Sequence, residues 1–422
     1  MTGGEAARSA GRMVRASWLL LVGACGTTGV SPQTPAPPRN AILLVSIDGF
    51  RADYLDRPWA VHLRQLAGEG VRAQWLTPVF PSKTFPNHYT IVTGLYPEHH
   101  GIVSNSMMDP ATHRRFEIRD TLAVRDSSWW KGEPIWVTAV KQGRKSGVYF
   151  WPGSEAAIEG IRPTYWKRYD ARTPNSARVR QVLDWLSAPP SQAASLATLY
   201  MSDVDYAGHE YGPDAPQTDS AIARVDSAIA QILTGLDQRG LAARVDLIVV
   251  SDHGMTATRP ERTILLDDYI DLRDVSIIDM SPVAAILPRE GRGEEVFRRL
   301  HGANPHLTVY RKGETPVRWH YRNNDRIPPI LAVADEGWLI SIHGRRTAPG
   351  LPPERGTHGY DPELPSMHAL FIARGPAFRS AATVPAFTNV HLYALMTHIL
   401  GLQPAPNDGS LDSVRALLRT GS

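Results

Sequence analysis

Three stretches of the chain are apolar at nearly every position and stop abruptly at a polar cluster. Ala41 to Ile47 runs into Asp48-Gly49, Leu196 to Met201 into Ser202 to Gly208, and Val245 to Val250 into Ser251-Asp252-His253-Gly254. A short run without alternation predicts a strand buried on both faces of a parallel sheet. Between these runs, Ser176 to Leu186 and Asp219 to Leu236 carry apolar residues at helical spacing. Strands alternating with helices predict an α/β fold, a doubly wound and mostly parallel sheet flanked by helices. Ligands of such sheets bind beyond the carboxyl ends of the strands, which is where the polar clusters fall.

From 260 to 350 the pattern is less regular, with charged and Pro/Gly-rich stretches such as Gly291 to Arg299 and Gly344 to Arg355. This segment is expected to be a smaller subdomain inserted in a catalytic domain spanning 40–405, followed by a C-terminal tail or helix at 406–422. Residues 26–39 are Pro-rich and read as a flexible tether. Before them, Arg8, Arg12 and Arg15 precede the apolar stretch Ala16 to Ala24, too short to span a bilayer. Residues 1–25 therefore read as a signal peptide. Val22-Gly23-Ala24-Cys25 is lipobox-like, and the sole cysteine, Cys25, would carry lipid and anchor the protein. The expected location is a periplasmic or outer-membrane lipoprotein facing the periplasm or exterior, with secretion after Ala24 as the alternative.

Composition narrows the chemistry. The 422 residues are 42% hydrophobic, enough for a large core, and 45 basic against 42 acidic residues give a net charge of +3. No basic stripe marks a nucleic-acid-binding surface. An anionic substrate must therefore be held locally, and the 15 histidines show where. Asp252-His253 joins a carboxylate and an imidazole at a strand end, a donor mixture suited to zinc. Asp205 and His209, four apart around Gly208, can reach one ion from a loop or a first helical turn, or simply cap a helix. His358, in Gly356-Thr357-His358-Gly359, gains weight only from company, and Asp48 alone fits a turn equally well. Together, three carboxylates and three imidazoles supply three ligands to each of two ions and leave positions open for chemistry.

The order of these elements, with Phe80-Pro81-Ser82-Lys83-Thr84-Phe85-Pro86-Asn87-His88, Gly94 to Ile102, Lys131 to Trp136 and Phe150 to Ser154, resembles the nucleotide pyrophosphatase/phosphodiesterase family of the alkaline phosphatase superfamily. The resemblance runs from about Ala41 to Phe378 and is read as the bacterial type. It implies two Zn²⁺ per chain, one held by Asp48, Thr84, Asp252 and His253, the other by Asp205, His209 and His358. It implies Thr84 as nucleophile and Asn105 as the asparagine that binds a phosphoryl oxygen. Phe85, Trp151, Pro152, Tyr169 and Tyr200 match the aromatic lining of a nucleotide pocket. His88 and His99 match no functional position and read as structural. The implied activity is hydrolysis of phosphate diesters and pyrophosphate bonds of nucleotides, releasing nucleoside monophosphates through a phosphothreonine. Alternatives on the same core are a choline-type lipid phosphodiesterase, a phosphonate hydrolase or a phosphomonoesterase. An inactive exported binding protein would have lost a ligand or the nucleophile, and every position is filled. Ser82 to Pro86 lacks the Cys/Ser-x-Pro-x-Arg context of sulfatases. The oligomeric state is not legible in one chain.

Overall fold

The computed structural model describes residues 40–346 and 355–421. The expected signal peptide, Cys25 and the tether lie outside the described residues. The principal elements begin with β1 (Ala41–Ile47), α1 (Val61–Glu69), β2 (Val71–Ala73), α2 (Thr84–Thr93), β3 (Ser146–Tyr149) and β4 (Tyr165–Lys167). They continue with α3 (Asn175–Ser187), β5 (Leu196–Met201), α4 (Asp203–Tyr211), α5 (Pro216–Gln238) and β6 (Val245–Val250). Then come β7 (Val275–Asp279), β8 (Val283–Pro288), α6 (Gly293–Leu300), β9 (Leu307–Arg311) and β10 (Ile330–Ala334). The chain closes with β11 (Phe371–Arg374), β12 (Ala382–Val384) and α7 (Leu392–Leu400).

One sheet of eight strands, in the order β12-β2-β11-β6-β1-β5-β3-β4, organises the molecule. Only β11 runs against its neighbours. The central strands are apolar at nearly every position because both of their faces are buried. In β1, Ile42 and Leu44 enter one core while Leu43, Val45 and Ile47 enter the other. Leucines 63 and 66 of α1, Val182 of α3 and Ile222, Val225 and Ile229 of α5 close the second core. Tyr89 and Val92 of α2 and Leu395 and Met396 of α7 close the first. The expected doubly wound α/β architecture is the one observed.

The stretch that looked irregular in sequence holds a four-stranded antiparallel sheet, β7-β8-β10-β9. With α6 it encloses a small core that includes Ile286, Val296, Leu300 and Val309. β7 and β9 are only partly buried, whereas β8 and β10 are apolar and largely buried runs within the irregular stretch. The C-terminal segment forms a 3₁₀ turn, Asp412–Leu417, whose Val414 and Leu417 are buried. Among the described residues no helix is long and apolar enough to cross a membrane.

Candidate metal centre and active site

Parallel pairing sets Ser46 of β1 level with Tyr200 of β5 and Val250 of β6, so the three strands end at one height. Asp48, α4 and Asp252 leave the sheet side by side. Gly49 makes this possible. Its φ is +68°, and a Cβ there would lie 2.9 Å from the Cα of Asp205. Its N–H donates to Asp252 Oδ1 at 3.2 Å, and the N–H of Asp205 donates to the carbonyl of Asp48 at 3.1 Å. One turn thus ties three carboxylate-bearing segments together.

The histidines are oriented by the backbone. Nδ1 of His209 faces the carbonyl of Gly356 at 2.9 Å, Nδ1 of His253 that of Gly254 at 2.9 Å, and Nδ1 of His358 that of Ser82 at 2.8 Å. A carbonyl only accepts, so each Nδ1 carries the proton and each Nε2 presents a lone pair. These lone pairs converge. His358 Nε2 lies 3.1 Å from His209 Nε2 and 3.6 Å from Asp205 Oδ1. His253 Nε2 lies 2.9 Å from Asp252 Oδ2, 3.5 Å from Asp48 Oδ1 and 3.4 Å from Thr84 Oγ1. The rings of His253 and His358 stack at 3.5 Å, joining the two groups.

Asp48 Oδ1, Asp205 Oδ1 and Asp252 Oδ2 are buried with no hydrogen-bond partner. The approach of His253 to Asp252 brings acceptor to acceptor and does not satisfy either atom. A buried cluster of acceptors alone is costly unless cations sit among them. Protonation behaviour shows the same strain. Burial, with Asp252 and Asp205 beside it, pushes the Asp48 carboxyl well above its ordinary range, and the hydroxyl of Tyr200 partly counters this. Burial also works against a charged Asp205, and only positive charge on His209, His358 and His253, or a cation in their place, holds its carboxyl below the ordinary range. Burial pushes His358 down, and the neighbouring His253 adds to the effect. The donor set therefore fits metal ions.

His88 is fully buried 3.3 Å from Asp252 Oδ2, close enough to suggest a ligand. Its Nδ1 faces the carbonyl of Thr84 at 2.8 Å and so bears a proton, while Nε2 meets Ser46 Oγ at 2.8 Å. Both nitrogens are engaged, and the ring ties the first turn of α2 to β1. His99 lies at the surface against Asp408 at 2.7 Å, far from this chemistry in role.

Thr84 opens α2, where the helix dipole favours anions. The N–H of Phe85 donates to Asn105 Oδ1 at 2.9 Å, which leaves the NH₂ of Asn105 available. Beside Thr84 lies a cavity of about 680 Å³ bordered by Asp48, Asp205, Phe85, Trp151, Pro152, Tyr169 and Tyr200. Tyr169 is half-exposed, and Trp151 is nearly buried with its indole N–H on the carbonyl of His88 at 2.9 Å. Tyr200 does something its sequence did not announce. Its hydroxyl donates to Asp48 Oδ2 at 2.5 Å, fixing that carboxylate as well as lining the cavity. The clue was its place one residue before the end of β5, level with Ser46.

Comparison with known proteins decides the kinship. The family model for type I phosphodiesterase / nucleotide pyrophosphatase matches residues 42–361. The chain belongs to the type I phosphodiesterase / nucleotide pyrophosphatase family. It is 41% identical over 385 residues to human ectonucleotide pyrophosphatase/phosphodiesterase family member 5, covering 91% of this chain and 79% of the relative. It is 42% identical over 398 residues to the mouse bis(5'-adenosyl)-triphosphatase, covering 93% of this chain and 84% of the relative. The solved structure of murine family member 5, an inactive variant in complex with AMP, superposes with a TM-score of 0.85 at 42% identity. That comparison covers 90% of this chain and all of the other. A type I phosphodiesterase is a phosphoric diester hydrolase, and this chain is such an enzyme with an alkaline phosphatase-like fold. These relatives are eukaryotic and do not support the bacterial type read from the sequence. Residues 42–361 carry the match, and Cys25 precedes them in sequence.

Proposed function

We propose that this phosphodiesterase hydrolyses phosphate diesters and pyrophosphate bonds of nucleotides, releasing nucleoside monophosphates, with Thr84 as covalent nucleophile and two zinc ions as cofactors. The observation that carries the reading is the ring of unpaired acceptors around Thr84 at the mouth of an aromatic cavity. Asp48, Asp252, His253 and Thr84 would hold one ion, and Asp205, His209 and His358 the other. When bound, zinc supplies positive charge for the phosphoryl oxygens and lowers the pKa of coordinated hydroxyl groups.

The chain's own residues set the geometry. Thr84 Oγ1 forms a bond to phosphorus in line as the bond to the leaving oxygen breaks. The NH₂ of Asn105 and the N–H of Thr84, the one uncommitted donor in the first turn of α2, face the developing charge. Water then cleaves the phosphothreonine, restoring Thr84 and freeing the nucleoside monophosphate. Two inversions give net retention at phosphorus. Phe85 and Tyr200 offer rings to the base, a contact tolerant of base identity. Asn105 is a neutral donor, suited to a diester monoanion. Four arginines line the cavity: Arg172 engages Asp170, Arg178 the carbonyl of Tyr200 and Arg224 Asp203, while Arg119 is exposed and makes no ion pair among the described residues.

The murine relative supports this reading, because its inactive form is a threonine-to-alanine variant solved with AMP. The test compares zinc-loaded enzyme on a nucleotide diester and on a monoester. The expected outcome is strong diester preference, loss of turnover on chelation and an inactive Thr84→Ala. Full activity in Thr84→Ala, or preference for the monoester, would sink the covalent mechanism or the substrate class respectively. The proposal also places the enzyme outside the cytoplasm, anchored through Cys25 or secreted after Ala24, and fractionation of cells expressing the full chain checks this.

A further inference from the structure

The inserted subdomain sends one carboxylate into the catalytic body. Asp279, the last residue of β7, accepts from Lys83 Nζ at 2.6 Å and from the hydroxyl of Ser104. Its other oxygen takes the N–H of Met280 at 2.8 Å. The Lys83 and Asp279 side chains are only 6% and 12% exposed, so water screens the pair little.

What this carboxylate grips is informative. Lys83 immediately precedes Thr84, at the N-cap of α2, and makes no side-chain cap of its own. Ser104 immediately precedes Asn105, whose carbonyl oxygen receives the N–H of Phe85. Each arm of Asp279 therefore ends one residue away from a group assigned to the phosphoryl transfer. The third neighbour of this junction is the His358 loop. Ser82 holds His358 through its carbonyl, and at Gly359 (φ +113°) a Cβ would lie 3.2 Å from Lys83 Cε. The stem of Lys83 runs against that backbone. Lys83 itself does not border the cavity. Its effect on the reaction must pass through the residues it anchors.

We propose that Asp279 is a positioning residue: through Lys83 and Ser104 it fixes the separation between the Thr84 hydroxyl and the Asn105 amide. The inserted subdomain then contributes to phosphoryl transfer without touching substrate. This rests on the roles of Thr84 and Asn105 proposed above. In-line transfer is sensitive to such placement, since a shift of about 1 Å can cost on the order of 100-fold in rate.

The test uses full-length, zinc-loaded enzyme carrying Asp279→Asn, Ser104→Ala, Lys83→Met, or Lys83→Met with Asp279→Asn. Each is assayed for kcat and KM on a nucleotide diester, for AMP affinity and for zinc content. The expected result is a kcat lowered about tenfold or more in Asp279→Asn and several-fold in Ser104→Ala. KM and AMP affinity stay within about threefold of the parent, and zinc content is unchanged. The double variant is hardly slower than Asp279→Asn, because both changes break one link. The proposal is overturned if kcat stays within about twofold in Asp279→Asn and Ser104→Ala, or if any loss is matched by equal losses of AMP affinity and zinc. Should Asp279→Asn not fold, Ser104→Ala decides alone. Failure of the underlying mechanism would show separately, as an active Thr84→Ala.

Discussion

Tyr200 is a cavity-lining aromatic whose polar end has a second task. Asp48 is the carboxylate least able to ionise, since burial and two neighbouring carboxylates oppose its charge, and the Tyr200 hydroxyl is the side-chain donor that offsets them. Tyr200→Phe keeps the ring and removes that donor. Outer hydrogen bonds of this kind typically change metal affinity about 10–100-fold when lost. A chelator competition should therefore show zinc held more weakly in Tyr200→Phe, with nucleotide binding in the aromatic cavity retained. An unchanged zinc affinity would mean that the hydroxyl merely satisfies itself on Asp48. The proposed ligands were legible where they stand at strand ends in short Asp/His clusters. The parts that orient them were not, because they are backbone carbonyls: Ser82 for His358, Gly356 for His209 and Gly254 for His253. No residue type announces a carbonyl. The link from Lys83 to Asp279 spans 196 positions and carries no local signal at all.

At the scale of elements, β6 carries a polar residue inside an otherwise apolar strand. Asp246 is fully buried and accepts the N–H of Ala377 at 2.8 Å, joining the start of β6 to the turn after β11. Burial raises its carboxyl from 3.8 to about 6, with the Ala377 N–H opposing the shift. The folded protein thus prefers the protonated form. Its contribution to stability is complete below the ordinary value and is lost as pH rises through about 6. Asp246→Asn stays neutral and keeps an acceptor for Ala377. From pH 4.5 to 7.5 the variant should gain about 2 kcal/mol relative to the parent in urea unfolding. A difference that does not vary with pH would show that Asp246 titrates normally. The sequence placed β1, β5 and β6 correctly because strands buried on both faces leave nearly continuous apolar runs. It placed α3 and α5 because each has one solvent face. Almost every residue of α2 is buried, so it shows no amphipathic stripe, and two of the four subdomain strands, β7 and β9, are only partly covered.

At the scale of the molecule, the ligand set draws on segments as distant in sequence as Asp48 and His358. Without cations, unpaired carboxylate oxygens and imidazole lone pairs face one another at the carboxyl end of the sheet, opposing its closure. With cations, the same atoms join β1, α4, β6 and the His358 loop. The proposed zinc would bind the folded arrangement and not the dispersed one, so its binding energy would add to folding stability. Zinc at about 100 times its dissociation constant adds roughly 2.7 kcal/mol per site. The thermal midpoint of zinc-loaded enzyme should exceed that of chelator-treated enzyme by several degrees. Loss of His209, which serves one proposed ion only, should remove about half of that gain while leaving the other ion bound. Equal midpoints with zinc and with chelator would show that the acceptor cluster is tolerated empty, and that its strain is absorbed by protonation instead.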